Sequence, residues 1–368
     1  VRIFLKNQIV NFARKVLMHD RGRRILDESL GNRLDRSPGS AVCLASEDSL
    51  YADLPQAEAG RAATRLRSDL VFITGRFRSG STLFWNVFRQ LEGFTSFYEP
   101  FNERRWFNPD ARGDRVDRSH RGVDDYWREY DQIRGLDSFY TEEWIRRELY
   151  LDERHVNWPM QRYIEEIISQ SPGRPVLQFN RIDLRLPWFR RTFPNGTILH
   201  ITRHPRDQWC STLMDIQRFG PESGTLEDFK KHDGFYLTTW VNDLKYWFPF
   251  LDDHQAHPYR HFYFIWRLSQ LFGASYSDLS LRFEDLVHNP HETLGKVFKV
   301  LDYQIEDWRL LDSLLKPPVM EKWKRYAPDD WFRQHEQSCE NVLADFFGWE
   351  QNSDFDVPSN AVVSASIT

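Results

Sequence analysis

The sequence predicts an α/β fold in which a central parallel sheet is flanked by helices in three layers and carries a helical insertion. Two observations predict it. Short apolar runs of strand type alternate with stretches whose apolar residues recur at helical spacing, and strands that alternate with helices pair in parallel with both faces covered. One such junction, "FITGRFRSGSTLFWN" at residues 72–86, also places a glycine-containing turn between a strand and a helix start.

Each element follows from its own residues. Asp69 to Ile73 is an apolar strand run, and Leu83 to Leu91 puts apolar side chains on one helical face. Residues 102–172 mix many charges with Trp106, Tyr126, Trp127, Tyr140, Trp144, Tyr150 and Trp158 and are expected to form helices of an inserted lobe. Further strands are expected at Val176–Phe179, Thr197–Thr202 and Leu279–Phe283. Residues 35–68, with Ser-Pro-Gly at 37–39, read as a linker before a core domain spanning 69–350. Residues 351–368 lack periodicity and are expected to be a disordered tail.

Residues 1–34 carry eight Lys or Arg against three Asp or Glu, on a segment with apolar residues at roughly helical spacing. An amphipathic helix is expected there. It either packs on its own domain, the commoner outcome, or makes a peripheral membrane contact through residues 1–24.

Composition narrows the function classes. The 368 residues include 14 Trp and 28 Phe among 40% hydrophobic residues, enough for one large packed domain. A net charge of −5 gives no general basic footprint, which disfavours nucleic acid as a partner. Cys43, Cys210 and Cys339 are too far apart for a metal motif and too few for a disulfide framework. A reducing, cytoplasmic location is expected, with membrane association or a removed N-terminal targeting segment left open.

The turn at 75–82 has the chemistry of an anion cradle. Backbone N–H groups and the positive end of the following helix converge there on one ligand. Gly75-x4-Gly80 matches the spacing of a nucleotide-triphosphate loop, but Ser81 and Thr82 follow Gly80 where a lysine would grip the γ-phosphate. The loop's cation is Arg78. A small-molecule kinase is therefore disfavoured, and no metal is expected.

A second anion element lies in "TILHITRHPRDQWCSTLMD", residues 197–215. Its strand ends at Arg203, a helix can begin after Pro205, and Ser211 falls about two turns along. Arg203 and Ser211 can meet in the crevice at the carboxyl ends of the strands. Two such elements at neighbouring strand ends suggest a ligand with two separated phosphates.

Gly-x-x-Arg-Ser-Gly-Ser-Thr-Leu followed later by Arg-x-Pro-Arg-Asp-x-x-x-Ser resembles the sulfotransferases that use 3′-phosphoadenosine 5′-phosphosulfate (PAPS). "LRFEDLVHNP" at 281–290 is similar to that family's Tyr-Glu-Asp-Leu-x-x-x-Pro segment, with Phe283 replacing the tyrosine, and 321–349 resembles its C-terminal loop and last helix. The resemblance implies a P-loop-like three-layer fold, PAPS as cosubstrate, and transfer of its sulfuryl group to an acceptor hydroxyl.

It also implies roles. Arg78 stands where the family has a catalytic Lys or Arg, and Ser79, Gly80, Ser81 and Thr82 would wrap the 5′-phosphate. Arg203 and Ser211 match the 3′-phosphate pair; Arg203 could otherwise only neutralise Asp207. Trp323, with Lys322 and Lys324, lies where a loop closes over the cosubstrate, though lysines there could equally be a solvated face. Glu99 in "FYEPFNE" matches the general base of the carbohydrate- and tyrosine-directed branches, or merely pairs with an arginine. The cytosolic small-molecule branch has Lys-x-His where this chain has Gln178-Phe179-Asn180, which argues against that branch and leaves Asn180 a polar contact. His200 reads as a core residue, His204 as a neighbour of the 3′-phosphate motif, and His155 as a reserve base. The expected acceptor is a small molecule, glycan or glycolipid, with a hydroxyl on a carbohydrate or glycosylated metabolite favoured over a phenol. An inactive nucleotide-binding module of the same fold is the rival reading.

Overall fold

The computed structural model describes residues 55–349, apart from 118, 214, 215, 217 and 218. The expectations for 1–34 and for the tail from 351 lie outside these residues. So does most of the expected linker, and its final part, Pro55–Arg65, is a helix, α1. The chain divides into two compact units, Val1–Ala62 and Ala63–Thr368. The second contains the sheet.

Five strands, β1 (Val71–Thr74), β2 (Phe94–Tyr98), β3 (Arg174–Phe179), β4 (Thr197–Thr202) and β5 (Leu279–Arg282), pair in the order β2-β3-β1-β4-β5. All four pairings are parallel, with Val71 opposite Val176 on one side and Thr197 on the other. β1 is the centre. Apart from the four-residue helices Pro109–Arg112 and Leu226–Phe229, the helices between strands are α2 (Ser81–Arg89), α3 (Trp158–Ser169), α4 (Leu186–Thr192), α5 (Pro205–Thr212), α6 (Leu237–Leu244) and α7 (Pro258–Tyr276). After β5 come α8 (Phe283–His288), α9 (Pro290–Val300), α10 (Arg309–Leu314) and α11 (Asp329–Phe347).

Strand alternation divides the core in two. Phe72, Leu177 and Ile198 face a cluster with residues of α3, α4 and α7, whereas Val71, Ile73, Val176 and Leu199 face one with residues of α2, α8 and α9. Side chains of successive strand residues point to opposite faces, so an apolar strand supplies both layers at once. The three-layer expectation is met. Gly75 lets β1 run close to β4, since a Cβ there would lie 2.5 Å from the Ile201 carbonyl oxygen.

Two expectations change. The strand β2 was hidden in "FTSFY", whose threonine and serine break the apolar run, yet four of its five residues are buried. The 102–172 crossover from β2 to β3 is less helical than expected, with α3 its one long helix among the described residues. Before α3 it holds the four-residue helix Pro109–Arg112 and the 3₁₀ turns Arg128–Tyr130, Leu136–Ser138 and Glu142–Ile145. Its aromatic residues lack a sustained 3.6 period and pack instead on one another, as Trp106 does on Tyr126 and Tyr140 on Trp144. Arg89 of α2 anchors the segment through Glu129 (2.7 Å) and Asp125 (2.6 Å).

Candidate active site

A cavity of about 590 Å³ opens where the carboxyl ends of β1, β2, β3 and β4 meet. Sheet topology puts it there: β1 and β3 are neighbours, as are β1 and β4, so loops leaving them converge on one crevice.

The first wall is the β1–α2 loop. Arg78 and Gly80 both adopt left-handed backbone, with φ of 65° and 96°. Gly80 needs its hydrogen, because a Cβ would stand 2.1 Å from the Phe283 ring. Ser81 begins α2, and the first N–H groups of a helix have no partner inside it. They therefore point with the helix dipole toward the cavity, which Gly80, Ser81 and Thr82 line. Ser79 departs from expectation. Its N–H closes the turn on the Arg76 carbonyl (3.1 Å), its hydroxyl is buried without a partner, and it does not line the cavity. The turn that raises Arg78 points Ser79 into the fold.

The Arg78 guanidinium lies 3.4 Å from Asp117 and 3.5 Å from the Ser119 hydroxyl, both on the β2–β3 crossover. The loop cation thus faces the cavity from the side opposite the helix start.

The second wall is the end of β4. Arg203 donates to the Ser211 hydroxyl (3.3 Å) and to the Arg78 carbonyl (3.2 Å), which joins the two sequence motifs directly. It makes no ion pair with Asp207 among the described residues, and its Nε is buried without a partner. Burial lowers its pKa from the ordinary guanidinium value. Asp207 and Glu284 lie near enough to oppose that shift without pairing with the guanidinium, and a buried arginine with no ion pair is prepared for an anion. Asp207 instead accepts from the Glu321 N–H (2.9 Å). The segment after β5 supports this wall: Phe283 lies 4.9 Å from the Arg203 guanidinium, and Glu284 accepts from the His204 N–H (2.9 Å) at the start of α5.

The third wall starts at Glu99, the residue after β2. It is buried, with φ of 38°, and lines the cavity. Oε1 accepts from Asn180, and Oε2 from Arg181 and from Asn102 (3.1 Å). Arg181 also holds Glu103 (2.9 Å). The Ser81 hydroxyl donates to the Asn180 side-chain oxygen (2.7 Å), so a buried polar chain runs from the anion loop to Glu99. Above it, Thr82 bonds Tyr98 (3.0 Å), Tyr98 stacks on Tyr126 at 4.5 Å, and Tyr126 reaches His120 Nδ1 (2.6 Å). Burial holds His120 at about 4, leaving a neutral imidazole at pH 7.

The cavity thus gathers Arg78, Gly80, Ser81, Thr82, Glu99, Asn180, Arg203 and Ser211 from four separate segments. Two other expected residues stay outside it. Trp323 stacks on His204 at 6.4 Å and carries the Arg206 guanidinium over its ring, and Lys324 pairs with Glu321 (2.7 Å). The 3₁₀ turn Lys322–Arg325 points its lysines in different directions, and only Lys322 lines the cavity. His200 is buried against Ser280, and His155 pairs with Asp152 (2.7 Å); neither lines it. Sequence reasoning missed Arg181, His120 and Tyr98. Arg181 followed Asn180 in plain view, whereas His120 sits in a stretch whose conformation has no periodic signal. Among the 234–266 aromatics, Phe235 and Tyr236 line the cavity while Trp240 and Trp266 are core. Among the described residues no group of His, Cys, Asp or Glu forms a metal site, and no helix is long and apolar enough to cross a membrane.

Comparison with known proteins adds to this geometry. Residues 70–307 match the model of the sulfotransferase family. A sulfotransferase from Alicyclobacillus acidocaldarius is 12% identical, covering 76% of this chain and 96% of its own, with a TM-score of 0.37. Sulfotransferase STF9 from Mycobacterium avium is 13% identical over 77% of each chain, with a TM-score of 0.42. The sulfotransferase domain of the curacin biosynthetic pathway is 15% identical, covering 77% of this chain and 98% of its own, at 0.35. No curated protein sequence matches significantly.

Proposed function

The chain belongs to the sulfotransferase family, and from that premise we propose that it transfers the sulfuryl group of PAPS to a hydroxyl of a carbohydrate or glycosylated acceptor. The observation that carries the donor assignment is the contact of Arg203 with both Ser211 and the Arg78 carbonyl, which sets two anion-binding elements side by side. A nucleotide with phosphates at both 3′ and 5′ positions fills both; ATP fills only one. The loop residues Gly80, Ser81 and Thr82 receive the 5′ end, and Arg203 with Ser211 the 3′-phosphate.

The residues divide the chemistry. The acceptor oxygen attacks sulfur in line while the bond from sulfur to the phosphate oxygen breaks. Arg78 stabilises the charge growing on that oxygen, a task for a preplaced cation. Glu99 takes the acceptor's proton. Of the roughly four lone-pair sites of a carboxylate, three already accept hydrogen bonds, so the remaining site on Oε1 is the one that can serve. Asn180 and Arg181 hold the carboxylate in place. The ion pair with Arg181 is the structural use of Glu99 that competes with this reading. A base at the end of β2 favours the carbohydrate- and tyrosine-directed branches.

A non-catalytic nucleotide-binding module would keep the donor cradle but has no need of a buried carboxylate facing it. A kinase lacks its lysine at Ser81. The test is transfer of label from PAPS to a panel of glycans, glycolipids and phenols, with Glu99→Gln beside the wild type. Turnover by the wild type and its loss by about 10²-fold in the variant support the reading. Nucleotide binding without any transfer would favour the inactive module.

A further inference from the structure

The cavity's cations exceed what the donor needs, and they fall into two groups. Lys322 acts on Cys210, the neighbour of Ser211, and Arg121 donates to the Lys316 carbonyl (3.1 Å) on the same side as α10. Lys322, with Arg203, belongs to the donor side of this reading. Arg104 and Arg115, like Arg121, belong to the β2–β3 crossover, but among the described residues neither hydrogen-bonds the segment after α10. Arg104 donates to the Arg115 carbonyl (3.0 Å) and rests 5.9 Å from the Trp106 ring centroid. Both arginines line the cavity while remaining exposed, which places them at its rim. Neither has a carboxylate partner among the described residues, although nearby arginines do: Arg78 has Asp117, and Arg181 has Glu99 and Glu103.

Trp106 and Tyr126 form an aromatic wall below these cations, continuous through Tyr98 with Glu99. An acceptor lying against this wall with its hydroxyl at Glu99 brings its far end to Arg104 and Arg115. We infer that the acceptor is acidic, carrying a carboxylate or an ester sulfate that Arg104 and Arg115 bind while its body lies along the cavity edge of Trp106 and Tyr126. The inference rests on the sulfotransferase reading of the same cavity and names the class of its acceptor.

The test is calorimetric binding of matched pairs that differ by one charge, read with and without saturating adenosine 3′,5′-bisphosphate. The pairs are a uronate-containing tetrasaccharide with its carboxyl-reduced form, and 4-hydroxyphenylacetate with its amide. The acid of at least one pair should bind about tenfold more tightly, the scale of a charge-assisted contact. The double variant Arg104→Ala/Arg115→Ala should lose that preference while nucleotide affinity stays within about threefold, and Arg104→Lys/Arg115→Lys should retain part of it. Equal binding within both pairs, or a preference that survives the alanine variant, overturns the inference. Failure of the nucleotide to bind counts against the donor reading instead, because the acid–neutral comparison is also made without it.

Discussion

Arg203 reaches across from the end of β4 to the Ser211 hydroxyl at 3.3 Å, eight residues later on the next helix. The same guanidinium holds the carbonyl of Arg78, so the side chain proposed for the 3′-phosphate also fixes the loop proposed for the 5′ end. Arg203→Ala should therefore weaken adenosine 3′,5′-bisphosphate by about 2 kcal/mol or more, through loss of a charge-assisted contact. Binding of 5′-AMP should fall less, and comparison of the two ligands by calorimetry checks this.

Arg78 stands in left-handed backbone with its guanidinium free to leave an exposed carboxylate, an ion pair of the kind that holds weakly. Arg78→Ala should lower kcat by roughly 10²-fold while changing nucleotide affinity little. Single-turnover transfer from labelled PAPS measures it.

Gly80 is fixed by two independent demands, its φ of 96° and the Phe283 ring 2.1 Å from any added Cβ. Gly80→Ala should cost about 1–2 kcal/mol from backbone strain alone, with more from displacement of Phe283. Phe283 also covers Arg203, so nucleotide affinity should fall in the same variant. Urea unfolding and nucleotide titration of one preparation check both effects.

The anion loop, the Arg203–Ser211 pair and four of the five strands were legible because each is local: a periodicity, a glycine that must be glycine, a spacing along one helix. The chain Ser81–Asn180–Glu99–Arg181 was not, since it joins residues far apart in sequence that only the β2-β3-β1 strand order makes neighbours. Trp323 and Lys324 were placed by position in a motif. The 3₁₀ turn, with Glu321 in left-handed backbone before it, turns them away and leaves Lys322 facing the cavity.

Buried histidines give the fold a pH dependence of known sign, and beside His120, His257 and His335 two more contribute to it. Burial lowers His200 and His261 to about 4, below the unfolded value, and both ring nitrogens of His261 lack partners. The unfolded chain therefore binds more protons between pH 6.5 and about 4. Stability contributed by these sites is present above pH 6.5 and is lost as pH falls, by about 1.4 kcal/mol per pH unit for each proton. Denaturant unfolding across that window should show the decline, and His261→Leu should reduce its slope by one proton's share.

That one cavity reads two phosphates of one nucleotide is tested most directly by calorimetric titration with adenosine 3′,5′-bisphosphate in the absence of metal, set against 5′-AMP and against ATP with Mg²⁺. The bisphosphate should bind at least about tenfold more tightly than either, with Arg203→Ala removing most of the difference. Equal affinity for 5′-AMP, or a clear preference for ATP with Mg²⁺, would contradict it.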